Sequence, residues 1–207
     1  MSTKPHLPVV LLCLYLVAWL IAAINPLHRG DWLLENLLPA VFIPIFIFTY
    51  RKFQFSNTGY LLLFLFMLCH ALGAHYTYAE VPYDQWSKDW LGFSINDLFG
   101  FERNHYDRLI HFTYGLFLVL PYREWLTWIM SASPRASWWL SLEFIIASSA
   151  VYELIEWAAA LVFGGDLGMA FLGIQGDIWD AHWDMMLAAL GALITLSVAP
   201  LLQRTKP

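Results

Sequence analysis

Several stretches of this sequence carry ionisable side chains at spacings that could do chemistry. Residues 175–186, QGDIWDAHWDMM, hold Asp177, Asp180 and Asp184 at i, i+3 and i+7. On a helix these share one face, with Trp179, Trp183 and Met186 on the other. Glu153 and Glu156 stand at i and i+3 with Ser149 on the same face, and Asp107 and His111 stand at i and i+4, with Arg108 next to Asp107. His70 and His75 complete the set. Two histidines with several carboxylates can hold a divalent metal ion, and mixed N and O ligands admit Zn²⁺, Mn²⁺ or Mg²⁺. The ligand set expected for that role is His75, His111, Glu156 and Asp180. Without a metal, a histidine beside repelling carboxylates can shuttle protons, which suits hydrolytic acid/base work or proton coupling. Glu153, Glu156, Asp180 and Asp184 are then the candidate catalytic groups. Asp107, Arg108, His111, His75, His70 and Asp177 are candidate binding groups. The ligands are dispersed, with no HExxH, and no Ser-His-Asp arrangement, P-loop or dinucleotide fingerprint is present.

Each element also has a plainer reading. Asp177 could cap a helix, with Asp180 in its first turn. Asp107 and Arg108 could mark a helix start, and His75 with Tyr76 and Tyr78 could belong to an aromatic girdle. His70 could be a neutral, hydrogen-bonded histidine packed against small residues such as Gly73, and His182 shares the tryptophan side. Glu153 and Glu156 could join a structural network with Arg103 or Arg108. Six or more such groups exceed what caps and girdles need.

The elements that must position these residues are membrane helices. Of 207 residues, 59% are hydrophobic and only 13% charged, against about a quarter in a soluble domain. About 20 apolar residues span a bilayer as a helix. The pattern predicts an all-α polytopic membrane protein, one bundle of six transmembrane helices over about 7–24, 33–50, 60–78, 107–122, 138–163 and 178–202, forming a single domain. Alternating strands of an outer-membrane barrel are absent. Pro39 and Pro44 predict a kink in the second span. Residues 80–106 read as one or two short helices on the membrane surface, with Trp86, Trp90, Phe93 and Phe99 at the headgroups. Residues 123–137 read as interfacial and 164–176 as a glycine-rich turn. The first apolar run exceeds a signal-peptide core and reads as a retained span. Cys13 and Cys69 lie in apolar runs and read as buried thiols. The net charge of −5 and the lack of a basic stripe exclude a nucleic-acid partner.

Seven of the eleven basic residues, Lys4, Arg51, Lys52, Arg123, Arg135, Arg204 and Lys206, fall on the side of the two termini. The positive-inside rule makes that side cytoplasmic. Glu153 and Glu156 then lie about 22–27 Å across from Trp138, in the outer half of the membrane. His75, Asp107/His111 and Asp180/Asp184 reach the same depth. A charge inside a bilayer costs about 2.5–3.5 kcal/mol and is by default a functional signal.

The segments NHYDRLIHF (104–112), YELIEW (152–157) and QGDIWD (175–180) resemble the bacterial YjdF family of inner-membrane proteins. The resemblance covers nearly the whole chain, His70 and the His75–Tyr78 segment included. It implies a multi-pass inner-membrane protein and brings no particular activity. A more distant likeness is to the VanZ-like family, whose helices carry Asp-Lys-x-x-His-Phe, Glu-x-x-Gln and Asp-x-x-x-Asn-x-x-Gly-x-x-x-Gly. Asp107, His111 and Phe112 match the first, with Arg108 for Lys, and Glu153 matches the second, with Glu156 for Gln. Asp180 and Gly191 match the third, while Asp184 replaces Asn and Leu187 the first Gly. That likeness implies an envelope role at a more acidic site.

These readings converge on an outward-facing acidic and histidine-containing pocket. Its expected ligand is a polar lipid headgroup or a lipid-linked envelope intermediate, with a divalent metal as a candidate aid. A small proton-coupled transporter, or a structural membrane protein without catalysis, are the alternatives. The oligomeric state is left open.

Overall fold

The computed structural model describes residues 7–165, 168 and 175–203. Lys4, Asp166, Arg204, Lys206 and most of the expected glycine-rich turn lie outside the described residues. Among those described, the regular structure is helical throughout. The helices are α1 (Leu7–Ala22), α2 (Arg29–Glu35), α3 (Leu37–Thr49), α4 (Asn57–His75), α5 (Tyr83–Leu91), α6 (Ile95–Phe99), α7 (Tyr106–Met130), α8 (Pro134–Phe163) and α9 (Asp180–Gln203).

The protein is an all-α membrane protein. Four stretches are long and apolar enough to cross a bilayer: Arg29–Thr49, Asn57–His75, Pro134–Phe163 and Asp180–Ala199, with α1 a shorter apolar helix. Their outer faces expose Phe48, Leu20, Leu154 and Val162, a surface that lipid rather than water must cover. Although 25 residues long, α7 is less apolar, carrying Asp107, Arg108, Arg123 and Glu124. It is the central helix, packed on α4, α8 and α9.

The spans differ from expectation in three places. The second is two helices broken at Asn36. Pro39 has no N–H to donate to the Glu35 carbonyl, so the first helix stops there. Asn36 spans the gap, donating through Nδ2 to the Trp32 carbonyl at 2.7 Å and accepting from Trp19 Nε1 at 2.5 Å. The third span ends at His75, because Thr77 and Tyr78 turn the chain with φ of 56° and 49°. The fourth runs on to Met130 through the segment expected to be interfacial. Pro121 is tolerated inside it, buried against its neighbours. Residues 80–106 do form two short helices, α5 and α6, with Trp90, Leu91, Leu98 and Phe99 exposed.

The core joins α7, α8 and α9 through Leu118, Val119, Leu142, Ile145, Ala188, Ala192 and Leu196. Helices α7 and α9 touch backbone to backbone. A Cβ on Gly115 would overlap the Ala188 carbonyl oxygen, and one on Gly191 would overlap the Phe112 carbonyl oxygen. Without a hydrophobic drive between helices in lipid, such small-residue contacts supply the packing. A second cluster, Trp32, Ala74, Tyr78, Val81, Tyr106 and Ile110, seats α2 and α4 on α7.

Candidate functional site

The close crossing determines which side chains meet. On α9, Asp180, Asp184, Ala188 and Ala192 repeat every four residues and are all buried. On α7, Asp107, His111 and Gly115 repeat likewise. Packing Gly115 on Ala188 therefore brings the carboxylates of α9 to the carboxylate and imidazole of α7, one to two turns away. One ligand atom each from Asp107, His111 and Asp184 lies within 4.8 Å of the others. Helix α8 adds Glu153, whose Oε1 lies 3.7 Å from His111 Nε2, the same distance that separates His111 from Asp107 Oδ1. Glu156, one turn further along α8, is also buried, and its electrostatic neighbours are Asp107, Glu153 and Glu35.

Two arginines close the end of this cluster. Arg103 and Arg108 both pair with Asp180 and Asp177. Arg108 also lies over the Trp183 ring, 5.3 Å from its centroid. Asp177 sits in the turn before α9, accepting from the Trp179 N–H at 2.9 Å. That bond, and then Arg108, hold its carboxyl below the usual range. Asp177 and Asp180 thus offset the two arginines. Among the described residues, Asp107, Glu153, Glu156 and Asp184 form no ion pair with an arginine or lysine, although the Arg108 charge reaches Asp107 and Asp184 and Glu153 shares a hydrogen bond with Glu156. Asp184 Oδ1 and Glu153 Oε1 are buried without a hydrogen-bond partner.

The expected metal set is not the one the fold assembles. His75 Nδ1 contacts the Ala22 carbonyl oxygen at 2.8 Å, and the His75 carbonyl accepts from the Leu27 N–H, so this residue fastens α4 to α1. Asp180 is held by the arginines. Among the described residues, the atoms that come close enough to share an ion belong to Asp107, His111 and Asp184, with Glu153 beside them. His70 lies deeper, its Nδ1 2.5 Å from the Tyr78 hydroxyl and its Nε2 buried without a partner.

Two further acids near the site, Asp31 and Glu35, were not among the candidates drawn from the sequence. Both are buried on α2, Asp31 with both carboxylate oxygens unpartnered. Glu35 accepts from the Tyr152 hydroxyl at 3.2 Å and has Asp31 and Asp107 as electrostatic neighbours. The signal was available: Asp31 and Glu35 stand at i and i+4, the spacing that marked Asp107 and His111.

Comparison with known proteins identifies the family. The family described as "Predicted membrane protein (DUF2238)" matches residues 7–205. The chain is similar to the "Inner membrane protein YjdF" of Escherichia coli (strain K12), 39% identical over 166 residues, which is 80% of this chain and 75% of that one. No solved structure matches. These findings bear on the first resemblance above and not on the VanZ-like one. Membrane-length helices, a match over nearly the whole chain and an inner-membrane relative lead to one conclusion: the chain belongs to the DUF2238 family and is a multi-pass inner-membrane protein.

Proposed function

We propose that the cluster is an acid–base site for the polar headgroup of a lipid, with a lipid-linked envelope intermediate as its natural substrate class. One observation carries this reading: among the described residues, the buried carboxylates on α7, α8 and α9 outnumber the arginines paired with them. In a bilayer such groups are expensive and are kept where they do work. Arg103 and Arg108 are the groups that would hold an anionic phosphate, with Asp177 and Asp180 positioning them until it arrives. His111 and Glu153, 3.7 Å apart, would pass a proton to or from the reacting oxygen. The described basic residues Arg51, Lys52, Arg123 and Arg135 lie at the opposite end of the helices from the cluster. The positive-inside rule then puts both termini in the cytoplasm and opens the cluster to the outer leaflet, beside α5 and α6. The whole chain acts as a single domain in this scheme.

The test is complementation of a gene deletion in the native bacterium, combined with lipid profiling. Glu156→Ala and Asp180→Ala should fail to complement at normal protein levels, with an envelope lipid accumulating. Full complementation by both variants would sink the reading.

A second reading, proton-coupled transport, is favoured by hydroxyls deeper in the bundle. Tyr114 bonds Ser148 at 2.7 Å and approaches Tyr122 at 3.3 Å, while His70 and Tyr78 extend the cluster inward. The Phe66 ring lies between His70 and Tyr114 and interrupts that path, which favours the headgroup reading. Proton flux in liposomes that depends on Glu153 and Glu156 would reverse the preference. A purely structural role predicts that Glu156→Gln lowers stability and spares function.

A further inference from the structure

We propose that Asp107, His111, Glu153 and Asp184 bind a single divalent transition ion, Zn²⁺ or Mn²⁺. The proposal deepens the headgroup reading of the same cluster. It rests on that reading for what the ion does, and not for whether it binds. With the ion in place His111 and Glu153 are its ligands, and the proton to or from the reacting oxygen passes through Glu156, the buried neighbour of Glu153.

Geometry is the first support. The 3.7 Å separations from His111 Nε2 to Asp107 Oδ1 and Glu153 Oε1 are too long for hydrogen bonds. They are close to the spacing of neighbouring ligands on an ion. Ligands at about 2.0–2.1 Å from a metal stand roughly 3.3 Å apart in a tetrahedron and about 4 Å apart across an octahedron. The 4.8 Å limit on the Asp107, His111 and Asp184 atoms closes to those values with small rotations of the side chains.

The second support is independent of the distances. Asp184 is 1% exposed, and its Oδ1 has no hydrogen-bond partner; Glu153 Oε1 is orphaned in the same way. Buried polar atoms are nearly always satisfied, and an orphan at a cluster points to a missing ligand. The nearby arginines are held by Asp177 and Asp180. A doubly charged ion would satisfy both orphans and the imidazole together.

Ligand type selects the metal. One imidazole among carboxylates suits Zn²⁺ or Mn²⁺ better than Ca²⁺ or Mg²⁺, which take oxygen ligands. The i, i+4 pair on α7 supplies two ligands from one rigid element, and α8 and α9 supply one each. The ion would therefore join three helices at the level where their charges repel.

The experiment uses the full chain purified in detergent, stripped with chelator, reloaded with Zn²⁺ or Mn²⁺ alone and desalted before metal analysis. Wild type should retain about one ion per chain. Asp184→Asn and His111→Gln should each weaken binding at least tenfold, and Glu143→Gln, away from the cluster, should keep it. Size exclusion and thermal unfolding report whether each variant is folded. If Asp184→Asn is not, Asp107→Asn and His111→Gln carry the comparison. Substoichiometric metal on wild type, or equal retention by the folded variants, overturns the site. Failure of the headgroup reading shows differently: a stoichiometric ion with no change of envelope lipid in the deletion strain. Headgroup processing by stripped protein would instead overturn the ion's part in that reaction and leave the headgroup reading standing.

Discussion

Two carboxylates at opposite ends of the bundle are treated in opposite ways. Glu124, near the far end of α7, accepts from the Ser56 N–H at 2.8 Å and from the Ser56 hydroxyl at 2.6 Å. Ser56 in turn caps α4 by accepting from the Gly59 N–H at 3.0 Å. Both oxygens of that carboxylate are used, and the result is a fastening between two helices. Asp184 is more deeply buried and has an oxygen with no partner. A structural acid in this protein is therefore one whose bonds are complete. On the proposed reading, an incomplete one in the cluster, kept where its cost is highest, is held for a ligand.

That contrast can be broken or sharpened at four points. The largest effect is expected at the shared frame. Gly191→Leu drives a side chain into the α7 backbone, and the loss should be about 3 kcal/mol or more, read as a failure to recover folded protein. Tolerance of leucine there would mean that the crossing does not set where Asp107 meets Asp184. Next, Glu153→Gln should lower headgroup processing about 10²-fold while the thermal stability of metal-stripped protein stays level or rises, because a repelling charge is removed. A drop in stability would make Glu153 the same kind of residue as Glu124. Third, Glu124→Ala should cost about 1–2 kcal/mol in unfolding and leave function at wild-type level.

The smallest effect concerns Asp84, the satisfied acid of the surface helices. It accepts from the Asn96 N–H at 2.9 Å and the Ser94 hydroxyl at 2.8 Å, and pairs with Lys88 at 2.8 Å. The Asn96 bond, and then Lys88, hold its carboxyl at about 2. A lowered folded value means that its contribution is complete above the ordinary carboxylate range near 4 and is lost as pH falls through about 2. Amide protection at Asn96 should fall over that window in wild type and show no such step in Asp84→Asn.

Much of this arrangement was legible in the sequence because helical periodicity reports which residues share a face. Asp180 and Asp184, Asp107 and His111, and Glu153 and Glu156 were paired correctly by spacing alone. Direction around a helix was not legible: the His75 imidazole turns to the Ala22 carbonyl on α1. Asp31 and Glu35 were lost for a related reason. They lie buried on α2, the short helix before the break at Asn36, and a break reads as a kink until its partners are known. Arg123 and Glu124 looked like the end of a span because charges usually are. Here the helix runs on past Ser56, which occupies Glu124 in full.

The Gly115–Gly191 crossing has a mechanical consequence for the cluster. Two rods pinned where they touch move most at their far ends. Asp107 lies eight residues from Gly115, and Asp184 seven from Gly191, a lever arm of roughly 10–12 Å at 1.5 Å per residue. A change of about 10° in the crossing angle would shift these carboxylates by about 2 Å, the difference between sharing a ligand and missing it. Small-to-larger substitutions at Ala188 or Ala192, which pack in the apolar core of the crossing, are thus the positions where activity could be detuned or restored from a distance.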